Sequence, residues 1–192
     1  DSCGRLDVNA KDTPDLSAGP DLRYMFGSTK ILKGNESFNN WDVSNVTIMY
    51  AMFFNTRKFN QPLNNWNTSK VTNVSNMFFR TKLFNQPLDN WDMSSVKNMR
   101  GMFGGARRFN QPLNNWNVSN VRYMDSLFSV AKKFNQPLDN WNVSNVASMG
   151  YMFDEASAFK EQNLSSWDVG KVKNHRYFMR DAGNGNIQPN WK

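Results

Sequence analysis

Tryptophan recurs along this chain at almost equal intervals, and that interval constrains the fold more than any other feature. The first five occurrences are spaced by 25 residues and the remainder drift by one: Trp41, Trp66, Trp91, Trp116, Trp141, Trp167 and Trp191. A phrase of the form Phe-Asn-Gln-Pro-Leu precedes several of them, as in the segment from Phe59 to Trp66. A fixed period of this size indicates one small structural unit stacked on copies of itself, each burying its apolar side against its neighbours.

The repeat runs through nearly all of the 192 residues, so the sequence predicts one elongated domain. We expect an N-terminal cap at 1–30, repeats at 31–182 and a C-terminal cap at 183–192, because the phrase degenerates at both ends. Cys3 is the only cysteine, which excludes an intrachain disulfide. No apolar run approaches membrane-spanning length, so membrane insertion is not expected. The sequence leaves the oligomeric state open.

The pattern within one repeat predicts two short elements. Leu63 and Trp66 begin a match to the L-x-x-L-x-L template of a leucine-rich repeat, whose last positions form a strand with the indole pointing inward. Val71, Val74 and Met77 then show the spacing of a short helix or 3₁₀ stretch. The expected fold class is α/β, a leucine-rich-repeat-like right-handed solenoid. It would have about six 25-residue coils, each with one short parallel strand and one short helix or 3₁₀ stretch.

Residues suited to catalysis or metal binding are sparse and separated. His175 is the only histidine and occupies a position of the apolar stripe, while Cys3 lies in a separate terminal segment. Neither a Cys-His nor a Ser-His arrangement can be built from them. Asp42, Asp92 and Asp168 lie too many coils apart to share a calcium ion. The sequence therefore predicts a protein that is not an enzyme and that carries no cofactor or metal.

Basic residues occupy one or both of the two positions before the return-turn phenylalanine in four successive repeats, whereas Ser157 and Ala158 precede Phe159. Neighbouring parallel coils lie roughly 4.8 Å apart, so these side chains are expected to form one cationic stripe. The formal net charge of +7 also favours anionic partners. The stripe is interpreted either as a solvated row that maintains solubility or as a surface that captures an acidic glycan, a nucleic acid or an acidic protein. The candidate residues of this basic edge are Arg57, Lys58, Lys82, Arg107, Arg108, Lys132 and Lys133.

Asparagine and aspartate flank the recurring tryptophan on both sides. By the two-residue period of a strand they are expected to face solvent while the indole faces the core. Two interpretations are open: amide-to-amide hydrogen bonds that stabilise the stack, or a flat polar surface that receives a protein or a carbohydrate. The candidate residues of this strand face are Asn40, Asp42, Asn65, Asn67, Asn90, Asp92, Asn115, Asn117, Asn140 and Asn142.

The repeat resembles that of the BspA-like leucine-rich repeat surface proteins of bacteria, in particular the mycoplasma-type surface lipoprotein repeat family with its W-D-V-S-N-V-x-x-M-x-x-M-F motif. Here the motif stands as Trp41-Asp42-Val43-Ser44-Asn45-Val46, followed by Met49, Met52 and Phe53. The resemblance covers roughly residues 16–182. It implies an exported bacterial protein, extracellular or at the cell surface, from a group associated with adhesion, and it supplies no catalytic motif.

These observations lead to one expected function and one alternative. The expected function is a non-enzymatic cell-surface binding module, an adhesin-type solenoid that holds a macromolecular, anionic partner through the strand face and the basic edge. The favoured partner is a protein or an acidic glycan at a cell surface, and a nucleic acid is less favoured. The alternative is a rigid structural spacer of a larger surface protein.

Overall fold

The computed structural model describes residues 12–19 and 21–191, and regular secondary structure is scarce within them. The only helix among these residues is a 3₁₀ helix, Glu36–Asn40, and their strand pairing is limited to isolated bridges. The Asn35 side chain accepts a hydrogen bond from the Ser37 amide at 2.9 Å and so caps the start of the helix. Cys3 and the first part of the expected N-terminal cap lie outside the described residues.

Successive repeats lie side by side in parallel and meet at one bridge per pair. The bridged residues form a single column, Ile48, Asn73, Asn98, Tyr123, Ser148 and Asn174. A further parallel bridge joins Asn163 to Ile187. No strand is formed at 65–69, where the sequence predicts one. Parallel pairing occurs instead at Asn73, in the segment that was expected to be a short helix or 3₁₀ stretch.

The segment predicted as a helix is a run of tight turns whose amides alternate between two kinds of partner. The Met77 amide donates to the Val74 carbonyl of its own turn at 3.1 Å, whereas the Asn76 amide donates to the Arg100 carbonyl in the next repeat at 2.7 Å. Asn76 has a φ of 55°, the left-handed value that the third residue of a type II turn requires. An α-helix would use both amides internally. In a run of turns, every second amide remains available to donate to a carbonyl of the neighbouring repeat. The apolar residues of such a run have the same spacing as those of a helix.

The tryptophans form a column inside the stack. Trp66 and Trp91 lie with ring centroids 6.0 Å apart and planes 6° apart. The Trp91 Nε1–H donates to the Leu63 carbonyl at 2.9 Å, and the same contact recurs in the neighbouring repeats. No tryptophan from Trp41 to Trp167 is more than 6% exposed. The predicted inward phase of this column is therefore confirmed.

Phenylalanine and methionine fill the rest of the interior. Phe53 and Phe78 stack with centroids 5.6 Å apart and planes 2° apart, and the column continues through later repeats. Burial of each such ring contributes roughly 1.5–3 kcal/mol before conformational entropy is counted. The methionines expected to act as core filler are fully buried: Met49, Met77, Met99 and Met102.

Asparagine ladders are present both beside tryptophan and in the return turn. Beside tryptophan, the Asn64 side-chain oxygen accepts a hydrogen bond from the Asn90 amide at 3.1 Å, and the same contact recurs in other repeats. In the return turn, the Asn60 side-chain oxygen accepts a hydrogen bond from the Asn85 amide at 2.8 Å, and Asn85 accepts from Asn110 in the same way at 2.8 Å. Asn135 continues the series by accepting from the Lys160 amide at 2.9 Å. These bonds satisfy the main chain beside the turn phenylalanines and hold the return turns in register.

Candidate anion-binding edge

The basic edge lies at the surface, just before a series of buried phenylalanines. Phe59 and its equivalents are fully buried, so they anchor the backbone from which the basic side chains project. Lys82 and Lys132 are half-buried. The remaining members are exposed: Arg57, Lys58, Arg107, Arg108 and Lys133.

One member of the basic edge is neutralised by an acidic side chain. The Lys132 ammonium lies 3.2 Å from a carboxylate oxygen of Glu155 and donates to the Glu155 carbonyl at 2.8 Å. The two residues are 23 positions apart in the chain. The Lys132 side chain therefore reaches a residue slightly less than one full repeat ahead.

In the earlier repeats, the residue 23 positions after the basic residue is not acidic. The residue 23 positions after Lys82 is Gly105, which has no side chain to pair with. The residue at that offset from Arg57 is Arg80, a further cation. The carboxylate that neutralises Lys132 thus has no counterpart beside Lys82 or Arg57.

A recess of about 370 Å³ opens at these earlier copies. Phe79, Gly105, Ser129 and Val130 contribute to its lining. Its volume falls within the range of about 300–1,000 Å³ typical of sites for small ligands. We name it the edge recess, and its four cations are Arg57, Arg80, Lys82 and Arg107.

The lining of the edge recess includes an apolar part, Phe79, Gly105 and Val130, which we call its floor. The Phe79 ring stacks on Phe54 with centroids 5.5 Å apart and planes 5° apart. Its other neighbour is the backbone of Gly104, where an added Cβ would lie 2.8 Å from two ring atoms. The Arg80 guanidinium carbon is 5.4 Å from the Phe79 ring centroid, within range of a cation–π contact.

The four cations of the edge recess stand without carboxylate partners. Among the described residues, every ion pair within 4.0 Å involves other groups, such as Lys132 with Glu155 and Arg100 with Asp125. Arg57 donates from its Nε to the neutral side chain of Asn55 at 3.2 Å. Like charges gathered at one place repel one another and attract an anion.

Sequence reasoning missed Arg80 and Phe79. Both precede the two positions that define the basic edge, and other repeats carry unrelated residues there, including Asn55 and Glu155. The observation that would have identified them is the 23-residue offset between the basic residue Lys132 and its neighbour Glu155 in the next repeat. That offset differs from the 25-residue sequence period and depends on how the turns are folded.

The strand face is exposed, and its side chains that follow tryptophan stabilise turns instead of forming the expected amide-to-amide ladder. All ten candidate residues are exposed, and the tryptophans between them are buried. The Asn67 side-chain oxygen accepts a hydrogen bond from the Ser69 amide at 3.2 Å, an Asx turn that recurs after each tryptophan. None of the strand-face residues lines the edge recess. The two predicted surfaces are therefore not brought together there.

The Asx turn at Asp42 couples folding to pH. The Ser44 hydroxyl and amide hydrogen-bond the Asp42 carboxylate and hold its pKa below the ordinary value of 3.8. The folded chain therefore binds this proton less tightly than the unfolded chain does. The stabilisation is fully present above the ordinary pKa and is lost as pH falls through the lower folded pKa.

A second cationic recess, also missed by sequence reasoning, lies on another part of the stack. Its volume is about 480 Å³, and Tyr123 and Asn145 contribute to its lining. Lys171 donates to the Asn145 side-chain oxygen at 2.6 Å, which holds that ammonium in place. Its cations are Arg122, Lys171 and Lys173.

The only histidine does not occupy an interior position. His175 is exposed, and its ring stacks on Trp191 with centroids 4.3 Å apart and planes 6° apart. It belongs to the last copy of the stack, which has no complete repeat packed over it. Within the described residues, no three His, Cys, Asp or Glu side chains are grouped closely enough to hold a metal ion.

Comparison with known proteins identifies a family. The family described as Mycoplasma protein of unknown function, DUF285, matches residues 5–113 and 87–191. The chain belongs to this family. The two overlapping matches span nearly the whole DUF285 chain, as expected for a family whose unit is a short repeat. No curated protein and no solved structure matches it.

One further structural property of this DUF285 chain concerns membranes. Among the residues that the structure describes, no helix has the length and apolar character needed to cross a bilayer.

Proposed function

We propose that this DUF285 chain is a non-enzymatic binding module that holds an anionic macromolecule along its basic edge. The observation that carries the proposal is the convergence of four cations on the edge recess, with no carboxylate paired to them among the described residues. Gathering these charges raises the electrostatic free energy of the unbound protein. A polyanion relieves that repulsion and releases its own counterions when it binds.

We also propose the wider setting of this module. The stacked repeats are taken to form a right-handed, leucine-rich-repeat-like solenoid of the BspA-like type, exported and displayed at a cell surface. Parallel pairing at every repeat and membership in a Mycoplasma repeat family support this assignment. The surface display accounts for a protein or an acidic glycan as the favoured partner.

Retention on immobilised heparin tests the basic edge. We expect the protein to be retained at low salt and released as salt rises, with a slope that reflects roughly one released counterion for each cation engaged. Lys58→Glu and Lys82→Glu should each shift elution to lower salt. Lys173→Glu, which makes the same charge change in the second cationic recess, is the matched control. Equal shifts for all three variants would indicate general attraction to a basic protein and would refute a specific edge.

The Lys132–Glu155 pair supplies a test in the opposite direction. Glu155→Gln removes the carboxylate that lies 3.2 Å from the Lys132 ammonium and lengthens the unpaired part of the basic edge. Retention should therefore increase. Introducing the acid where it is missing, with Gly105→Glu, should recreate the pair at Lys82 and reduce retention. A change in the same direction for both variants would contradict the proposal.

The alternative function, a rigid spacer, is favoured by one observation. The strand-face side chains after each tryptophan are used in Asx turns, which indicates a structural role. We propose that the strand face nevertheless contributes protein contacts through residues before tryptophan, such as Asn90 and Asn115, which are exposed. No salt-dependent retention of the unmodified protein on any polyanion would leave the spacer as the better description.

A further inference from the structure

We infer that the edge recess is a subsite for a uronic acid residue, a carboxylated sugar ring within an acidic glycan. This inference rests on the proposed function and specifies the ligand of the same edge. The inference depends on the presence of both an apolar floor and cations in one recess. A surface that binds anions by charge alone would not need the apolar floor. Phe79, Gly105 and Val130 supply the apolar part of the lining, and Arg57, Arg80, Lys82 and Arg107 line the same recess.

The recess exists because one aromatic column stops at Phe79. The equivalent positions in successive repeats are Phe54 and Phe79, followed by Gly104. The equivalent pairs in the two preceding repeats, Phe54-Asn55 and Phe79-Arg80, each carry a ring and a polar side chain. Gly104 and Gly105 have no side chains and therefore leave this space empty. Two adjacent glycines in this position occur in one repeat only; Gly105 lines the recess, and Gly104 packs against the Phe79 ring that lines it.

Its chemistry favours a sugar ring over a nucleobase. Single-stranded nucleic acids bind to successive aromatic faces, each of which stacks one base. Phe79 is already stacked on Phe54 at 5.5 Å and covered by Gly104 on another side, so it offers no open pair of faces. The C–H groups of a pyranose need only apolar contact, which the floor provides.

The surrounding cations suit carboxylates. Arg57, Lys82 and Arg107 come from consecutive repeats, which places their main chains roughly 5 Å apart along the edge. An arginine guanidinium binds a carboxylate through two parallel hydrogen bonds, and a lysine adds a compact positive charge. A glycan with one carboxylate on each uronic residue therefore meets a row of cations, with one ring seated in the recess.

Two variants separate the apolar contact from the charge. Phe79→Leu keeps an apolar side chain but removes the ring from the floor. Gly105→Glu adds a carboxylate beside Lys82, and Gly105→Gln controls for its size and for the φ of 68° at this position. Equivalent positions carry Asn55 and Glu155 at φ values of 58° and 56°, so the backbone tolerates a side chain there.

The experiment measures binding by calorimetry to three probes: a galacturonate oligosaccharide, inorganic polyphosphate and a single-stranded DNA oligonucleotide. The unmodified protein should bind the uronate probe most tightly at equal charge. Phe79→Leu should weaken uronate binding at least 5-fold and polyphosphate binding less than 2-fold. Gly105→Glu should weaken both at least 10-fold. Gly105→Gln should weaken uronate binding more than polyphosphate binding, which keeps the test valid if Phe79→Leu does not fold.

The outcomes distinguish this inference from the function on which it rests. Equal affinity for uronate and polyphosphate, with no selective effect of Phe79→Leu or Gly105→Gln, would overturn the sugar subsite and leave the anion-binding edge intact. Tighter binding of DNA than of uronate would also overturn it, in favour of a nucleic acid. Absence of binding to all three probes would remove the proposed function itself.

Discussion

Replacing a central tryptophan tests whether the indole column holds the repeats together. Trp91→Phe removes the Nε1–H that donates to the Leu63 carbonyl at 2.9 Å and the outer part of a ring that is 3% exposed. The carbonyl still accepts from the Trp66 amide at 3.2 Å, so losing the indole bond should cost only about 1 kcal/mol. The missing ring atoms and the resulting gap add about 1–2 kcal/mol. We expect a total destabilisation of about 2–3 kcal/mol.

Equilibrium unfolding in urea and thermal unfolding both measure this change. For a chain of this length, about 2–4 °C of melting temperature is lost per kcal/mol, so the midpoint should fall by roughly 4–12 °C. Trp191→Phe is the matched control, because its Nε1–H meets only the exposed Gln188 side chain at 3.1 Å and the indole is partly buried. It should cost less than about 1 kcal/mol. A loss below about 1 kcal/mol for Trp91→Phe, or one equal to the control, would refute the role assigned to the column.

Three further variants test local features. Asp42→Asn should flatten the dependence of unfolding free energy on pH as pH falls through the ordinary pKa of 3.8 and below it, because the variant lacks the carboxylate whose pKa is lowered; an unchanged profile in that range would contradict the coupling. Arg180→Ala should lower the midpoint of urea unfolding, since it strips two hydrogen bonds from the buried Asp154, and an unchanged midpoint would show that solvent replaces them. Gly101→Ala should cost about 1 kcal/mol by thermal unfolding, because an added Cβ would lie 2.3 Å from the Asn76 side-chain oxygen; a stabilised variant would indicate that this amide moves aside freely.

The period, the buried tryptophans and the exposed flanking residues were predictable, because each depends on which residues recur and not on backbone conformation. The type of backbone structure was not predictable. Apolar spacings of three and four residues arise both from a helix and from consecutive turns. The left-handed residues that distinguish the turns are often not glycine, as Arg80, Val130 and Tyr151 illustrate. Packing between repeats imposes these conformations, and a single copy of the sequence carries no local signal for them.

The candidate site was predictable only in part, for a related reason. The row of basic residues is visible in the sequence. Whether a given member is paired with a carboxylate depends on the residue 23 positions further along the chain. Lys132 and Lys82 look equivalent by sequence, yet one is paired with Glu155 and the other lies beside Gly105. Asp42 and its equivalents looked like ladder residues, and the short reach of their side chains directs them to local amides instead.

Positions that recur build the stack, and positions that depart from the repeat set the charge and the shape of the basic edge at each level. Buried rings, return-turn asparagines and Asx turns are nearly the same in every copy, so none of them distinguishes one level of the edge from another. The recess appears at the level where Gly104 and Gly105 interrupt the pattern, and the charge is cancelled at the level where Glu155 enters. The charge and the shape of the basic edge are therefore adjustable one repeat at a time, because a single substitution at either level changes the edge without altering the core that supports it.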